Sequence, residues 1–250
     1  MPEITADPPP KLGLRERNKL DKLARIRSAA LELFETKGYD ATTTREIAEL
    51  ADVGIGTVFM YADDKRDLLF LIFNDVLDRV VEEAFEHVDG RKSLSSQITA
   101  VFAHFYAAFH ERAALARIFL RELVFFSQGK QAEQYLANRR RILQGLQGLV
   151  AEAIAKGKVR ASEDPEHIAK ACFFLYSGEI RLWLGAPEPD LDEGVASLKG
   201  TFALLGRGFG EPAHEAGDAT PPKRSGSPAP AGTPARSRPA RSSPPPRRRS

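Results

Sequence analysis

A single cysteine, Cys172, stands in 250 residues. One thiol excludes an intramolecular disulfide framework and any zinc site built on paired cysteines, and it suits a reducing compartment. Proline is scarce where it would disturb structure most. Of 17 prolines, four lie in the first ten residues and ten lie beyond residue 211, leaving only Pro165, Pro187 and Pro189 between. A stretch with so few missing backbone donors can be almost wholly helical, whereas its ends cannot. Long apolar runs are lacking too. The window 171–184 is interrupted by Glu179 and Arg181, and it falls short of the roughly 20 apolar residues of a membrane span. The N-terminus is acidic and proline-rich, without the apolar stretch of a secretory leader. A soluble, cytoplasmic chain with no membrane partner is expected. Catalytic signatures are also absent: there is no GxSxG, no HExxH and no phosphate loop. The pairs Glu82/Glu83 and Glu32/Glu35 read as solvated helix faces. The expectation is therefore no enzyme, no cofactor and no metal.

An excess of one charge is missing overall but present locally. Lys and Arg number 36 against 34 Asp and Glu, for a formal net charge of +2. The first ten residues are acidic, Lys11–Arg27 is strongly basic, the body to residue 210 is net acidic, and residues 211–250 are basic again. The two basic regions read as a short segment before the first helix and a tail. That tail has ten prolines and almost no large apolar side chain, so burial cannot offset its chain entropy and disorder is expected.

What remains between the ends is helical in period. Leu23, Ile26, Ala30, Leu33 and Phe34 share one helical face, and Gly38 ends that helix. Thr43 with Glu46 three residues later is a capping box opening a short helix with Ile47, Ala48 and Ala51 inward. Asp52-Val53-Gly54 breaks it, and a third short helix covers Ile55–Tyr61. Asp63 or Asp64 caps a long helix from Lys65. Further helices are expected over about Ser93–His110, Ala113–Phe126, Gln131–Gly157, Asp164–Leu184 (opened by the cap and first-turn pair Asp164-Pro165) and Asp190–Phe209. This makes about nine helices, with no convincing strand and no fixed-period repeat. The fold class is all-α: an N-terminal three-helix helix-turn-helix domain, a larger helical bundle, and a disordered C-terminal tail. The boundaries are 1–10 disordered, 11–66 helix-turn-helix, 67–210 bundle and 211–250 tail.

Two short helices with a tight break, preceded by a supporting helix, form a helix-turn-helix, whose second member enters the major groove. The string Ala29-Ala30-Leu31-Glu32-Leu33-Phe34 through Gly38-Tyr39, then Ala41-Thr42-Thr43-Thr44-Arg45-Glu46-Ile47-Ala48, Ala51-Asp52-Val53, Gly56-Thr57-Val58-Phe59 and Lys65 with Leu68 resembles the N-terminal domain of the TetR/AcrR family of transcriptional regulators. The resemblance is close over about Arg25–Leu69, and architectural beyond it. It implies phosphate contacts from Thr43 and Thr44, and a phosphate or base contact from Arg45. It implies a recognition helix in which Gly56 allows close approach while Thr57 meets a base or a thymine methyl. Lys65 would hold a phosphate at the start of the fourth helix. Gly54, Ile55, Phe59, Met60 and Tyr61 complete the DNA-binding set. Five departures stand out. The turn glycine is Asp52, which tolerates a left-handed backbone. The usual serine cap is Gly54, the usual basic residue is Ile55, the usual tyrosine is Phe59, and the usual closing phenylalanine is Ala62. Tyr61 is placed to replace a lost polar contact, Met60 to make an apolar one. The basic Lys11–Arg27 segment reads either as an arm that attracts DNA or as the solvated face of a longer first helix. The tail arginines could add salt-sensitive affinity.

The same resemblance implies that the bundle binds a small effector and forms a homodimer. Phe102, Phe105, Tyr106, Phe109, Phe119, Phe126, Phe173, Tyr176 and Trp183 are the aromatic candidates for an apolar effector cavity. They are equally able to be core. His104, His110, Glu179 and Arg181 are polar groups near them. Ile168, Cys172, Leu175 and Leu182, with Val195, Leu198, Phe202 and Leu205, offer apolar faces for a two-fold four-helix interface. The expected function is a dimeric, ligand-responsive repressor, released from double-stranded operator DNA by a small apolar effector. A helical adaptor protein with weak or no specific DNA binding is the alternative.

Overall fold

The structure, a computed structural model, describes residues 13–124, 126, 128–159 and 164–207. The readings placed on residues 1–10, on Lys11 and on the tail 211–250 lie outside these residues. Among the described residues there are nine α-helices and no strand: α1 (Leu14–Thr36), α2 (Thr44–Leu50), α3 (Ile55–Tyr61), α4 (Lys65–Glu86), α5 (Leu94–His110), α6 (Ala113–Glu122), α7 (Ala132–Ala155), α8 (Pro165–Leu184) and α9 (Leu191–Arg207).

Most helix starts follow from side-chain caps that receive the unpaired first-turn amides. Thr43 accepts from the Glu46 amide while the Glu46 carboxylate accepts from the Thr43 amide, so the capping box of α2 is reciprocal. Asp64, Ser93 and Asp164 cap α4, α5 and α8, and Asp190 Oδ1 accepts from the Glu193 amide at the start of α9. The break between α2 and α3 turns on Asp52, whose φ of 51° is the left-handed value that a turn glycine would otherwise adopt.

Two expected boundaries move. The basic segment does not precede the first helix: residues 14–27 are the first half of α1, and Arg15, Arg17, Lys19 and Lys22 lie on its exposed surface. Helix α6 stops at Glu122 rather than Phe126. Leu123 and Phe126 form a turn, and the Phe126 ring leaves the helical path to stack on Phe70 at 3.5 Å between centroids.

One apolar core runs from Ile26 on α1 to Phe202 on α9. Helix α4 packs against α1 on one side and against α5, α6 and α7 elsewhere. Helices α5 and α9 pack together, as do α7 and α8. Ion pairs also tie α1 and its following loop to the later helices: Arg112 to Glu35 at 2.9 Å and Arg121 to Asp40 at 3.1 Å. These positions are half-exposed or exposed, so each pair contributes at most about 1 kcal/mol and serves mainly to fix register. No described helix is long and apolar enough to cross a membrane.

Candidate nucleic-acid interface and effector cavity

Helix α3 has seven residues, Ile-Gly-Thr-Val-Phe-Met-Tyr, and no charge. Val58 anchors it in the core, completely buried. Gly54, Ile55, Gly56, Phe59 and Met60 face outward, with Met60 the most exposed of its three large apolar side chains. A methyl built on Gly54 or Gly56 would meet nothing within 4 Å. The fold does not need glycine at 56 for space, so the open surface there is available for another molecule to approach closely. Gly54 supplies no side-chain cap, as its sequence implies.

The remaining members of the predicted set surround this surface unevenly. Thr43 is exposed but committed to the capping box, while Thr44 and Thr57 are half-buried. Arg45 is exposed. The Lys65 ammonium is engaged within the chain: it donates to the Asp40 carbonyl at 3.0 Å and lies over the Tyr39 ring at 4.6 Å. Tyr61 is turned inward, its hydroxyl donating to the Lys19 carbonyl at 3.2 Å. That bond ties the end of α3 to the first half of α1. Among the described residues, Arg15, Arg17, Lys22 and Arg45 have no ion-pair partner, whereas Lys19, Arg25, Arg27 and Lys37 each have an acidic one. The N-terminal helices thus carry an uncharged α3 together with four cations, three on α1 and one on α2, that lack ion-pair partners and that a phosphate backbone would complement.

Within the bundle lies a cavity of about 290 Å³. Five of the nine aromatic candidates line it: Phe105, Phe109, Phe119, Phe173 and Tyr176. The other four do not. Phe102 is core, stacked on Tyr176 at 4.0 Å. Phe126 lies against Phe70. Tyr106 is fully buried beside Trp183, its hydroxyl without a partner. Trp183 donates from Nε1 to the Asp190 carbonyl at 2.6 Å and so fastens the α8–α9 turn. Of the four polar candidates only Arg181 reaches the cavity. His110 lies beside Trp183, and Glu179 accepts from Ser197 and Thr201, joining α8 to α9.

Sequence reasoning missed the α7 wall, made by Tyr135, Arg139 and Ile142. Their spacing of four and three, continuing from Gln131, was the available signal. Burial pushes the Tyr135 and Tyr176 hydroxyls upward, so both remain protonated donors at neutral pH; Arg139 and Arg181 oppose that push at Tyr135. No carboxylate pairs with either arginine among the described residues; Arg181 donates to the Ser177 carbonyl at 2.6 Å. The arrangement is an apolar chamber with two cations and two phenols at its polar side, suited to a chain-like molecule bearing a negative charge.

The apolar faces of α8 and α9 are partly spent internally. Cys172, Leu198 and Phe202, expected at a dimer interface, are buried within their own chain. Leu182 is 77% exposed and Phe174 70%. With Ala171, Leu175 and Gly178 they form one stripe along α8, and Leu204 and Leu205 are exposed on α9.

Residues 26–72 match the family described as bacterial regulatory proteins, tetR family. Over 175 residues the chain is 24% identical to the fatty acid metabolism regulator protein of Bacillus subtilis, covering 67% of this chain and 86% of that one. The fold is similar to that of FadR from Bacillus subtilis in complex with stearoyl-CoA, with a TM-score of 0.57, 20% identity and coverage of 73% and 96%. It is similar also to Thermus thermophilus FadR in complex with lauroyl-CoA, with a TM-score of 0.59, 22% identity and coverage of 76% and 97%.

Proposed function

We propose that this chain, whose residues 26–72 are those of a TetR/AcrR-family transcriptional regulator, is a dimeric repressor released from operator DNA by an amphiphile of the acyl-CoA kind. The division of labour is the one expected above: residues 11–66 read DNA, and residues 67–210 bind the effector and dimerise. The observation that carries the effector class is the cavity, apolar through Phe105, Phe109, Phe119 and Phe173 and cationic through Arg139 and Arg181. Two relatives of the same fold are complexes with long-chain acyl-CoA molecules. Arg139 and Arg181 are exposed cavity-lining residues with no carboxylate partner among the described residues, so an anionic head group would gain charge-assisted hydrogen bonds there that a neutral effector would not.

Reading of DNA rests on α3 and its neighbours. Ile55, Phe59 and Met60 suit thymine methyls and groove shape. Arg15, Arg17, Lys22 and Arg45 supply phosphate contacts, and α1 extends the basic surface past the region matched by the family. The second copy docks on the α8 stripe of Phe174, Leu175 and Leu182. Effector binding biases the distance between the two reading helices, a two-state equilibrium linked to DNA affinity.

A gel shift tests the reading. The purified chain should retard the DNA upstream of its own gene, and lauroyl-CoA should release it. Dodecanol, with a comparable apolar chain and no charge, should not. Retardation equal to that of unrelated DNA would remove the DNA-binding half of the proposal. Equal release by dodecanol would remove the anionic-effector half. Light scattering should give a dimer mass for the wild-type chain and a lower one for Leu182→Glu.

A further inference from the structure

Helix α3, like any α-helix, does not satisfy its own C-terminal end. In an α-helix the last four carbonyls lack intrahelical partners. Here the Ala62 amide takes the Val58 carbonyl at 3.1 Å, leaving Phe59, Met60 and Tyr61. Two of those three are received from residues some 70 positions away. The Lys130 ammonium donates to the Phe59 carbonyl at 2.7 Å, and Gln131 Nε2 donates to the Tyr61 carbonyl at 2.9 Å. Lys130 also pairs with Asp63, just beyond α3. A cation at this end is favoured by the helix dipole as well.

The segment that delivers these donors is itself gripped. Asp67, in the first turn of α4, is 1% exposed. Its carboxylate accepts three backbone amides: Asp63 at 2.9 Å, Lys130 at 2.9 Å and Gln131 at 3.2 Å. Gly129 precedes with φ of +112°, and a Cβ there would sit 2.5 Å from Asp67 Oδ1. Glycine is required on both counts. Gln131 is further held by Asn74, whose Nδ2 donates to the Gln131 carbonyl and side chain.

The other end of the same helical face is the cavity wall. Gln131, which immediately precedes α7, and Tyr135 and Arg139 within it recur every four residues, so they lie along one side of the helix. Tyr135 and Arg139 line the cavity. Four residues, about 6 Å of helix rise, separate the residue that holds α3 from the first that meets the cavity.

We infer that Asp67, Lys130 and Gln131 form a clasp that positions the DNA-reading helix directly from α7. They are positioning residues for operator recognition. Helix α7 passes the state of the cavity to α3 without relying on α4 alone. The inference rests on the DNA-reading role proposed above and deepens it.

The test uses the full-length chain, wild type against the double variant Lys130→Met, Gln131→Glu, with Lys130→Arg as the conservative control. Gln131→Glu keeps the size of the side chain but removes its donor. The first readout is the ratio of operator to unrelated-DNA affinity at one salt concentration. The clasp predicts a loss of about tenfold, equivalent to about 1.4 kcal/mol, with Lys130→Arg close to wild type. The second readout is hydrogen exchange in the free protein. Exchange should quicken over residues 59–64 and stay unchanged in α2, a local pattern that general loss of stability would not give. The third readout is lauroyl-CoA, which should still bind the double variant but shift its operator affinity far less than it shifts the wild type. An unchanged affinity ratio, or unchanged exchange at 59–64, overturns the clasp. A wild-type chain that discriminates no operator overturns the DNA reading and the clasp's role with it. Wild-type discrimination without a variant effect overturns the clasp alone.

Discussion

Gly56→Ala separates what the fold needs from what DNA reading needs. Gly56 lies in the first turn of α3, exposed, with no positive φ and nothing within 4 Å of a built Cβ. Glycine inside a helix costs about 0.5–1 kcal/mol relative to alanine. The substitution should therefore stabilise the free protein, by about 0.5 kcal/mol in so short a helix, raising the melting midpoint by about 1–2 °C. In the proposed DNA complex the same methyl would enter a surface of close approach. Overpacking costs about 1–3 kcal/mol per site, and two copies double it. Taking 1 kcal/mol per copy, operator affinity should fall about 30-fold. Gly148→Ala is the control: it too is exposed within a helix with nothing within 4 Å, but on α7. It should stabilise the protein and leave operator affinity unchanged. Calorimetry and a fluorescence titration against operator DNA read both quantities. Unchanged operator affinity in Gly56→Ala, with stability raised, would refute the placement of Gly56 against DNA.

Replacing Arg139 and Arg181 together with methionine should weaken lauroyl-CoA binding by about tenfold or more while leaving operator affinity intact; isothermal titration decides it. Each neutralisation of Arg15, Arg17, Lys22 or Arg45 should reduce the slope of log affinity against log salt by about 0.9 per phosphate contact, hence by about twice that in a dimer, which a salt series of binding curves measures. Hydrogen bonding from Lys37, then from Thr43, holds the Glu46 carboxyl at about 2, against 4.5 unperturbed. Because the folded value is the lower one, the box's contribution is whole above pH 4.5 and is lost as pH falls towards 2; a carboxyl NMR titration with its midpoint near 4.5 would contradict this. Cys172 is 1% exposed and burial pushes its thiol up to about 11. At pH 8 it should react with a disulfide reagent only as fast as the protein opens, and an immediate stoichiometric reaction in the native state would contradict the burial.

The parts of the fold that were legible are those set by local chemistry. The Thr43–Glu46 box, the Asp64 cap and the Asp164-Pro165 start act within four residues, and each opens its helix where expected. Asp52 was identified as a substitute for a turn glycine, and it adopts the left-handed backbone. Tertiary contacts decided what was missed. Phe126 has the spacing to continue α6, but stacking on Phe70 turns the chain away first. Cys172, Leu198 and Phe202 have the apolarity of an interface, yet α9 spends the face of Leu198 and Phe202 on α5, and Cys172 on α8 is buried within its own chain. Phe102 and Phe105 are equally aromatic, and only packing tells that one is core and the other lines the cavity. Arg139 carries no pattern of its own; it becomes informative once Tyr135 and Gln131 are seen beneath it on one helical stripe.

The departures in α3 gain a physical account from its surroundings. Losing a basic residue at Ile55 and a phenol at Phe59 removes polar contacts from the reading surface, and no other residue of α3 restores them, because the Tyr61 hydroxyl is used on Lys19. The proposed compensating charge lies on α1 and, through Arg45, on α2, and the bond from Tyr61 to Lys19 ties the end of α3 to the basic half of α1. Stiffness is supplied in the same way. A seven-residue helix with a glycine cap and a glycine in its first turn has little intrinsic stability, so its geometry must be imposed from outside. Val58 holds it from below, Tyr61 ties it to α1, and Lys130 and Gln131 donate to its Phe59 and Tyr61 carbonyls. In the proposed reading role, a helix held by its neighbours rather than by its own propensity would change direction when one of those neighbours moved. Of these neighbours, the one that also lines the cavity is α7.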